Sequence, residues 1–444
     1  FDYDVGVPTA VVSAVAAGQK RSSVAIASGT IAEKLVIAND GSQSDCAAAL
    51  KCDLQIAAVR VHIYEQNLDR YWDGAGWSGV PTTSTNAFVH KSSWTLTALP
   101  SWTDAFTYTL WSQAEDKAGG VQQNFSGNGS SVTFTVDQTA PTAAITAPAA
   151  DVQLNAWTSV TGSADDPNYA TGSGIAGGAN VQVQVSYLLD PDTYYYDGGV
   201  TFSSTTSSRW NSPTWSALGL SSGTWNFAPA GFTTARTSDK NYTVKARVQD
   251  NARPTPNPSD LTANIVARFN VIFDTTPPAA VVQMPDEGAF YEKLLVASGT
   301  VNADSAGIDG TNASRVNLEI RDSMGDGFGA GDQYWNGAAF TTTVDVTTAT
   351  VTGGPNGTLY WEYTAAVPYQ NRQYRITAKS YDRAGNIETA LSSAAFTFNR
   401  QAPTTALSLP AESASGRYSA LPTISGTASD SGSGALGIKE VHLR

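Results

Sequence analysis

Apolar and polar residues alternate in short runs along the whole chain. The strictest run is VQVQVSY at 181–187, and YTVKARV at 242–248 follows the same two-residue period. A period of two places successive side chains on opposite faces of a strand, so each run predicts a half-buried β-strand. No stretch keeps the longer period of an amphipathic helix. The pattern therefore predicts an all-β chain.

Within residues 138–274 the runs predict seven short strands separated by turn signals. One of these signals is the pair Asp197-Gly198, which is typical of a tight β-hairpin. The same order of strands returns in the segments before and after this one. A Gly closes the second strand of each repeat, a Trp opens the fifth, and a Tyr lies in the sixth. These residues are Gly29, Gly162, Gly299 and Gly426; Trp94, Trp225 and Trp361; and Tyr108, Tyr242 and Tyr374.

A joint motif separates the repeats. In each copy an Asp or Asn lies four residues before a Pro, at the end of an alternating run. The copies recur at intervals of roughly 130 residues, which indicates an array of similar units. Proline restricts the backbone, as expected of a short connection between domains. The four pairs are Asp4/Pro8, Asp137/Pro141, Asp274/Pro278 and Asn399/Pro403.

The joints divide the chain into three complete domains and two fragments. We predict domains at 5–137, 138–274 and 275–399, and the last strand of a preceding domain at 1–4. Residues 400–444 hold the first three strands of a fourth domain, which needs its remaining strands or a partner to be ordered. Seven alternating strands with a Tyr entering the sixth predict an immunoglobulin-like sandwich with a tyrosine corner. The predicted fold is therefore a set of tandem immunoglobulin-like β-sandwich domains strung end to end.

Three motifs carry a resemblance to a known family. DTTPP at 274–278, DRAGN at 382–386 and SGTASD at 425–430 resemble the bacterial Ig-like repeats of large surface adhesins and other extracellular fibre proteins. The resemblance spans essentially the whole chain, although the loops at 116–120 and 250–253 depart from it. It implies a structural stalk or filament at the cell surface or outside the cell. The implied partners are other domains or copies of the same long chain.

The charge balance narrows the partners further. The chain of 444 residues has 26 Lys and Arg against 39 Asp and Glu, a net charge of −13. This balance argues against binding to nucleic acid or to an anionic membrane, because no basic patch is available for phosphates. No apolar run approaches the roughly 18 residues of a membrane span, so none is predicted in this segment. An excess of acid suits cations.

The acidic residues at the predicted domain poles form the strongest chemical candidate. In an immunoglobulin-like topology the start of the first strand, the second loop and the sixth loop lie at one pole, so their acidic side chains gather there. Calcium takes six to eight oxygen ligands, which such a pole can supply. Turn capping by the same side chains is the alternative, and both interpretations stay open. The candidates are Asp137, Asp165, Asp166 and Asp250; Asp274, Asp304 and Asp382; and Asp4 and Asp116.

Two further features have competing interpretations. The segment 322–332 resembles a degenerate calcium loop, but a flexible hairpin tip is the favoured interpretation. Trp210 and Trp215 lie in an insertion that the other repeats lack, where they either stack a glycan ring or anchor the loop. If both rings are exposed and coplanar, glycan binding gains; if they are packed, the stalk interpretation stands.

The two cysteines, Cys46 and Cys52, lie close together in a loop. We predict that they form a disulfide, because an array rich in Ser and Thr looks extracellular; two free thiols are the alternative. No nucleophile–base pair, phosphate loop or paired-carboxylate cleft is evident, so we predict no enzyme. The first functional hypothesis is a stalk or filament region. The second is a carbohydrate-binding surface module of a larger secreted protein.

Overall fold

The fold is seen in a computed structural model of the chain. The structure describes residues 6–32, 34–36, 43–45, 56–81, 83–90, 92–125, 129–167, 172–175, 177, 179–204, 209–218, 222–258, 267–303, 316–353, 357–410, 417–430 and 437–444. In these residues helix is confined to one turn, and the prediction of an all-β chain is confirmed. No helix of the described residues is long and apolar enough to cross a membrane.

The first sandwich contains thirteen of the described strands. Their bounds are β1 Thr9–Val12, β2 Lys20–Arg21, β3 Ala27–Ala32, β4 Lys34–Val36, β5 Gln43–Asp45, β6 Ile56–Glu65, β7 Arg70–Trp72, β8 Trp77–Ser78, β9 Thr85–Asn86, β10 Phe88–His90, β11 Ser93–Leu96, β12 Thr107–Asp116 and β13 Ser131–Val136. One sheet has the order β1-β3-β11-β10 and the other β2-β13-β12-β6-β7-β8, with β9 beside β6. The strands β4 and β5 form a separate pair.

The second sandwich repeats this plan. Its elements are β14 Thr142–Ala147, β15 Val152–Leu154, β16 Val160–Asp165, β17 Val181–Leu189, β18 Asp192–Tyr196, β19 Phe202–Ser204, β20 Thr214–Ala217, β21 Ser222–Phe227, the helical turn α1 Phe232–Ala235, β22 Lys240–Val248 and β23 Ala267–Phe273. Its sheets have the orders β14-β16-β21-β20 and β15-β23-β22-β17-β18-β19.

The third sandwich has the same two sheets. Its strands are β24 Ala279–Met284, β25 Phe290–Tyr291, β26 Ala297–Ala303, β27 Val316–Asp322, β28 Gln333–Trp335, β29 Phe340–Thr341, β30 Thr347–Thr348, β31 Thr350–Thr352, β32 Gly357–Tyr363, β33 Arg372–Ser380 and β34 Ser392–Phe398. The orders are β24-β26-β32-β31 and β25-β34-β33-β27-β28-β29, with β30 beside β27. Beyond it, β35 Thr404–Leu409 pairs with β36 Ser425–Ser429, and most of the side chains of this pair are exposed.

In every sandwich the chain crosses from the first strand of one sheet to a short strand at the edge of the other sheet. β2, β15 and β25 each pair in parallel with the last strand of their sandwich, which is β13, β23 and β34 respectively. All other strand pairs whose registers the described residues give are antiparallel within the sandwiches. The residue that follows the last strand is the joint Asp or Asn, so the short strand and the joint lie side by side. This neighbourhood positions the candidate site.

The recurring Gly and Trp residues meet in the core. In each sandwich the Gly of the second strand is paired in register with the Trp of the fifth strand: Gly29 with Trp94, Gly162 with Trp225, and Gly299 with Trp361. A Cβ atom placed on any of these glycines would overlap the indole ring. The three indoles are almost completely buried. The absence of a side chain on the glycine therefore leaves room for the indole ring to lie across the strand.

The predicted tyrosine corner is present in all three sandwiches. Tyr108, Tyr242 and Tyr374 are completely buried. Each hydroxyl accepts a hydrogen bond from a backbone N–H a few residues upstream, on Thr103 at 3.1 Å, Thr237 at 2.8 Å and Gln370 at 2.7 Å. Two sheets with the short parallel strand and this corner define tandem immunoglobulin-like sandwiches, as predicted.

The chain forms two compact units. The first comprises Phe1–Ala149, Thr158–Ala235 and Thr243–Phe269, and the second comprises Ala150–Trp157, Arg236–Tyr242 and Asn270–Arg444. The first unit contains the whole joint around Asp137, and the second contains the whole joint around Asp274. The residues of each joint therefore lie within a single unit.

Candidate metal centre

Three carboxylates meet at the joint in the first unit. Asp137 comes directly after β13, and Asp166 comes directly after β16. Asp250 follows β22 with one residue between them. Their exposed fractions are 0%, 1% and 0%. One oxygen of each carboxylate lies within 4.8 Å of an oxygen of the other two. The topology thus brings together three of the four acidic residues that the sequence predicted at this pole.

Asp137 is fixed by its backbone and by one of its two carboxylate oxygens. Its N–H donates to the carbonyl of Arg21 at 2.8 Å, which continues the β2–β13 pairing by one residue. Its Oδ2 accepts from the N–H of Ser173 at 2.6 Å. Its Oδ1 is buried, and no group of the described residues donates a hydrogen bond to it. A buried carboxylate oxygen without a donor loses its hydration with no compensation, and it is a ready ligand for a cation.

Asp166 and Asp250 also cap turns. Asp166 Oδ2 accepts from the N–H of Gly174 at 2.7 Å. Asp250 Oδ1 accepts from the N–H groups of Ala252 and Asn257, at 2.9 and 2.6 Å. The two interpretations left open by the sequence are therefore compatible, because each carboxylate caps a turn with one oxygen while the cluster itself remains.

An asparagine ties the cluster together. The side-chain Nδ2 of Asn257 donates to the backbone carbonyl of Asp137 and to Oδ2 of Asp250, both at 2.8 Å. One amide therefore links the joint to the loop that follows the sixth strand of the second sandwich. No sequence motif marks Asn257, since it lies seven residues after Asp250 in a proline-containing loop.

The electrostatics of the cluster are unfavourable without a counter-charge. Two unit charges 4.8 Å apart repel by about 3.5 kcal/mol at an effective dielectric constant of about 20. Burial raises the pKa of Asp250, and the negative charge of Asp137 raises it further. Three carboxylates in one buried place need a cation, a proton or a basic side chain. Hard oxygen donors of this kind suit Ca²⁺, whose remaining ligands would be carbonyls and water.

The joint in the second unit has the same construction. Asp274 and Asp382 are buried, and Asn386 Nδ2 donates to the carbonyl of Asp274 at 2.9 Å and to Oδ2 of Asp382 at 2.8 Å. Burial raises the pKa of Asp382, and the charge of Asp274 adds to the effect. Asn386 closes the DRAGN motif, so here the recurring loop was a usable signal. Asp304, the third candidate at this pole, lies outside the described residues.

The corresponding pole of the first sandwich is incomplete in a specific way. Asp116 is buried, and its Oδ1 accepts from the N–H of Gly120 at 2.7 Å. Gly120 stands where the third sandwich has Asn386, so this position provides no side-chain amide, and no group of the described residues donates to Oδ2 of Asp116. Asp4, the predicted companion, lies outside the described residues.

Asp165 does not belong to the cluster. It is exposed at the end of β16, whereas the next residue, Asp166, is buried. Neighbouring residues of an extended segment point to opposite sides, so only one of the two can face the joint. The sequence could not tell which of the pair this would be.

Hydrogen bonds across each joint also hold the backbone. In the first unit the N–H of Arg253 donates to the carbonyl of Lys20 at 3.1 Å, and the N–H of Ser22 donates to the carbonyl of Arg253 at 2.7 Å. These two bonds form a β-bridge between β2 and the loop after Asp250. In the second unit Asn155 N–H donates to the carbonyl of Ala384 at 3.2 Å. The loop after the sixth strand of one sandwich thus contacts the residue after the short strand of the preceding one.

The connecting residues are held as well. Asp104 accepts from the N–H of Gln138 at 2.6 Å and from the hydroxyl of Thr139. In the second unit Ser238 Oγ accepts from the N–H of Thr275 at 2.9 Å. Domains joined by a few residues bend at the joint by default. These contacts restrict such bending.

The acidic loop at 322–332 has its own positive charges. Arg372 lies 3.3 Å from Asp322, and Arg321 forms an ion pair with Asp332. Phe328 also packs beneath the guanidinium of Arg375, 4.1 Å away. The loop is a hairpin tip between β27 and β28, as favoured, but these contacts hold it in place instead of leaving it flexible.

The two tryptophans of the insertion pack on different neighbours. The guanidinium of Arg247 lies 4.0 Å above the ring of Trp210, next to the six-stranded sheet. The ring of Trp215 covers Gly223 in the four-stranded sheet, and neither indole is fully exposed. Each ring is half-buried against a different sheet, and glycan binding by this pair stays a prediction. Cys46 and Cys52, by contrast, lie outside the described residues, and their disulfide stays a prediction.

Comparisons with known proteins were made for sequence and structure. No family model matches the sequence, and no curated protein does. A solved tetra-tandem repeat from the extending region of a large adhesion protein is similar over 91% of this chain and 76% of its own, at 17% identity and a TM-score of 0.29. A run of titin domains is similar over 88% of this chain and 97% of its own, at 11% identity and a TM-score of 0.25. Three N-terminal domains of the outer capsid protein Hoc of bacteriophage RB49 are similar over 88% and 99%, at 10% identity and a TM-score of 0.27.

Proposed function

We propose that the chain is a repetitive stalk or filament region of an extracellular, cell-surface protein, in which bound Ca²⁺ stiffens the joints between sandwiches. The observation that carries this proposal is the cluster of Asp137, Asp166 and Asp250, three buried carboxylates gathered where two sandwiches meet. Asp137 belongs to the joint itself and the other two belong to the second sandwich. A cation bound by all three ties the joint to the domain that follows it.

A stalk gains reach when its domains do not bend freely against one another, and domains joined by short links move by default. In this chain Asn257 and Asn386 already connect each joint to the next loop. A cation adds a stronger connection at the same place and removes the repulsion between the carboxylates. The second hypothesis, a carbohydrate-binding module, depended on a coplanar pair of exposed tryptophans, and the packing of Trp210 and Trp215 gives it no support.

Small-angle X-ray scattering of the full chain tests the proposal. We expect millimolar Ca²⁺ to narrow the distribution of interatomic distances and to increase the radius of gyration relative to a chelator, because stiff joints sample fewer bent arrangements. The matched control is the double variant Asp250→Asn and Asp382→Asn, which should give the same profile in both solutions. Identical profiles for the unaltered chain with and without Ca²⁺ would contradict cation stiffening, and so would an equal response of the double variant.

A further inference from the structure

The two joints differ at one position of the short strand. In the first sandwich Lys20 is paired in register with Thr135, two residues before Asp137. In the second sandwich Gln153 holds the same position, paired with Ile272, two residues before Asp274. Both joints have a buried joint Asp, a buried loop Asp and a bridging Asn. The first joint adds Asp166, whose counterpart at the second joint, Asp304, lies outside the described residues. At this one strand position, the chain has a basic residue at the first joint and a neutral residue at the second.

Lys20 is anchored at the carboxylate cluster by its backbone. Its carbonyl accepts from the N–H of Arg253, three residues after Asp250, and the neighbouring Arg21 carbonyl accepts from Asp137. Burial lowers the pKa of the Lys20 ammonium group, and the charges of Asp137 and Asp166 oppose that shift. A cationic side chain from the preceding sandwich thus shares the electrostatic field of the cluster.

The side chain of Gln153 brings no charge to the second joint. Its amide donates to the carbonyl of Asp151 at 3.4 Å, within its own turn. Asp274 and Asp382 face each other through Asn386, and the strand position beside them carries a neutral amide. A divalent cation entering this joint meets no ammonium group from that strand.

We propose that Lys20 is a built-in counter-charge, which weakens Ca²⁺ binding at the first joint and keeps that joint partly neutralised when Ca²⁺ is scarce. The inference rests on the proposed function, since it concerns the same cation sites. An ammonium group beside the cluster offsets part of the carboxylate charge and repels an incoming divalent ion. Without that charge the first joint would bind Ca²⁺ more tightly and would be less stable when Ca²⁺ is absent.

Isothermal titration of the full chain with Ca²⁺ in chelator-treated buffer tests this joint by joint. The first joint is measured in an Asp382→Asn background and the second in an Asp250→Asn background. We expect Lys20→Gln to lower the Kd of the first joint about tenfold, and Gln153→Lys to raise the Kd of the second by a similar factor, because one unit charge acts on a divalent ion. Lys20→Arg, which keeps the charge, should leave the Kd nearly unchanged.

Two charge-matched controls lie away from the joints. Lys245→Gln on β22 and Gln283→Lys on β24 change the net charge equally and should leave both dissociation constants within about twofold. Circular dichroism in chelator checks that each variant is folded, and the two exchanges act in opposite directions, so simple loss of structure cannot imitate the result. Ca²⁺ binding at the first joint that is unaffected by Lys20→Gln would overturn the role of Lys20 and leave the proposed function standing. No Ca²⁺ binding in any variant, including Lys20→Gln, would overturn the proposed function and this inference together.

Discussion

The smallest structural unit of this chain is a glycine beneath a tryptophan. In the first sandwich the nearest indole atom would lie only 2.7 Å from a Cβ on Gly29, and the carbonyl of Val11 would be closer still. The indole Nε1 of Trp94 also donates to that carbonyl at 3.1 Å. The pair therefore fills the core and satisfies the ring nitrogen, which explains why both residues recur in every complete repeat.

Replacing this glycine should destabilise the sandwich strongly. We expect Gly29→Ala to cost about 2–3 kcal/mol, because the methyl group overlaps both the indole and a backbone carbonyl and the core must shift. Hydrogen exchange of peptides from β6, measured by mass spectrometry in the full chain, reports the loss for the first sandwich alone. Gly79→Ala, at an exposed position with open space around it, is the matched control and should change little. Equal protection in the two variants would contradict the packing described for Trp94.

Among the structural elements, the loop after the sixth strand makes the same contacts in the second and third sandwiches. Asn386 N–H donates to Asp382 Oδ1 at 2.7 Å, and its side chain reaches the carbonyl of Asp274. The loop therefore folds on its own aspartate and holds the preceding joint with the same residue. In the second sandwich Asn257 performs this task from a longer loop, which is why the two were not recognised as equivalents in the sequence.

Removing the bridging amide should weaken the third sandwich and its joint. We expect Asn386→Ala to cost about 2–3 kcal/mol, since it leaves a buried carboxylate oxygen and a buried carbonyl without this donor. Hydrogen exchange of peptides from β33 measures the effect. Ile387→Ala is the control, because its side chain is exposed in the same loop. Unchanged exchange in Asn386→Ala would show that the amide bridge contributes nothing to stability.

The elements were more predictable than the contacts between them. Alternation predicted the strands, and the recurring Tyr108, Tyr242 and Tyr374 predicted the corner, because both depend on local sequence. Lys20 was not recognised as part of the site, since the short strand that carries it has no alternation long enough to read. Asp165 was predicted as a ligand because alternation at the end of a strand does not show which of two neighbouring aspartates faces the joint. A site assembled across two sandwiches has no single stretch of sequence that encodes it.

At the scale of the whole molecule, the acidic composition and the joints belong to one design. The net charge of −13 repels other copies and supports solubility. Negative charge is least favourable at the joints, where carboxylates are buried together. In our proposal a cation bound there would remove this repulsion and would connect consecutive sandwiches. The central claim is therefore that the buried aspartates at the joints bind Ca²⁺.

Calorimetric melting of the full chain in chelator and in Ca²⁺ tests that claim most directly. A ligand that binds only the folded form stabilises that form, so at a hundredfold excess over Kd we expect Ca²⁺ to stabilise the sandwiches that carry the sites by about 2.7 kcal/mol. For domains of this size that corresponds to an upward shift of about 10 °C. Asp137→Asn, which removes the joint ligand of the first site, should abolish the shift of the transition to which that site belongs and keep the others. Coincident melting curves in chelator and in millimolar Ca²⁺ would contradict the claim and leave the joint aspartates as turn caps.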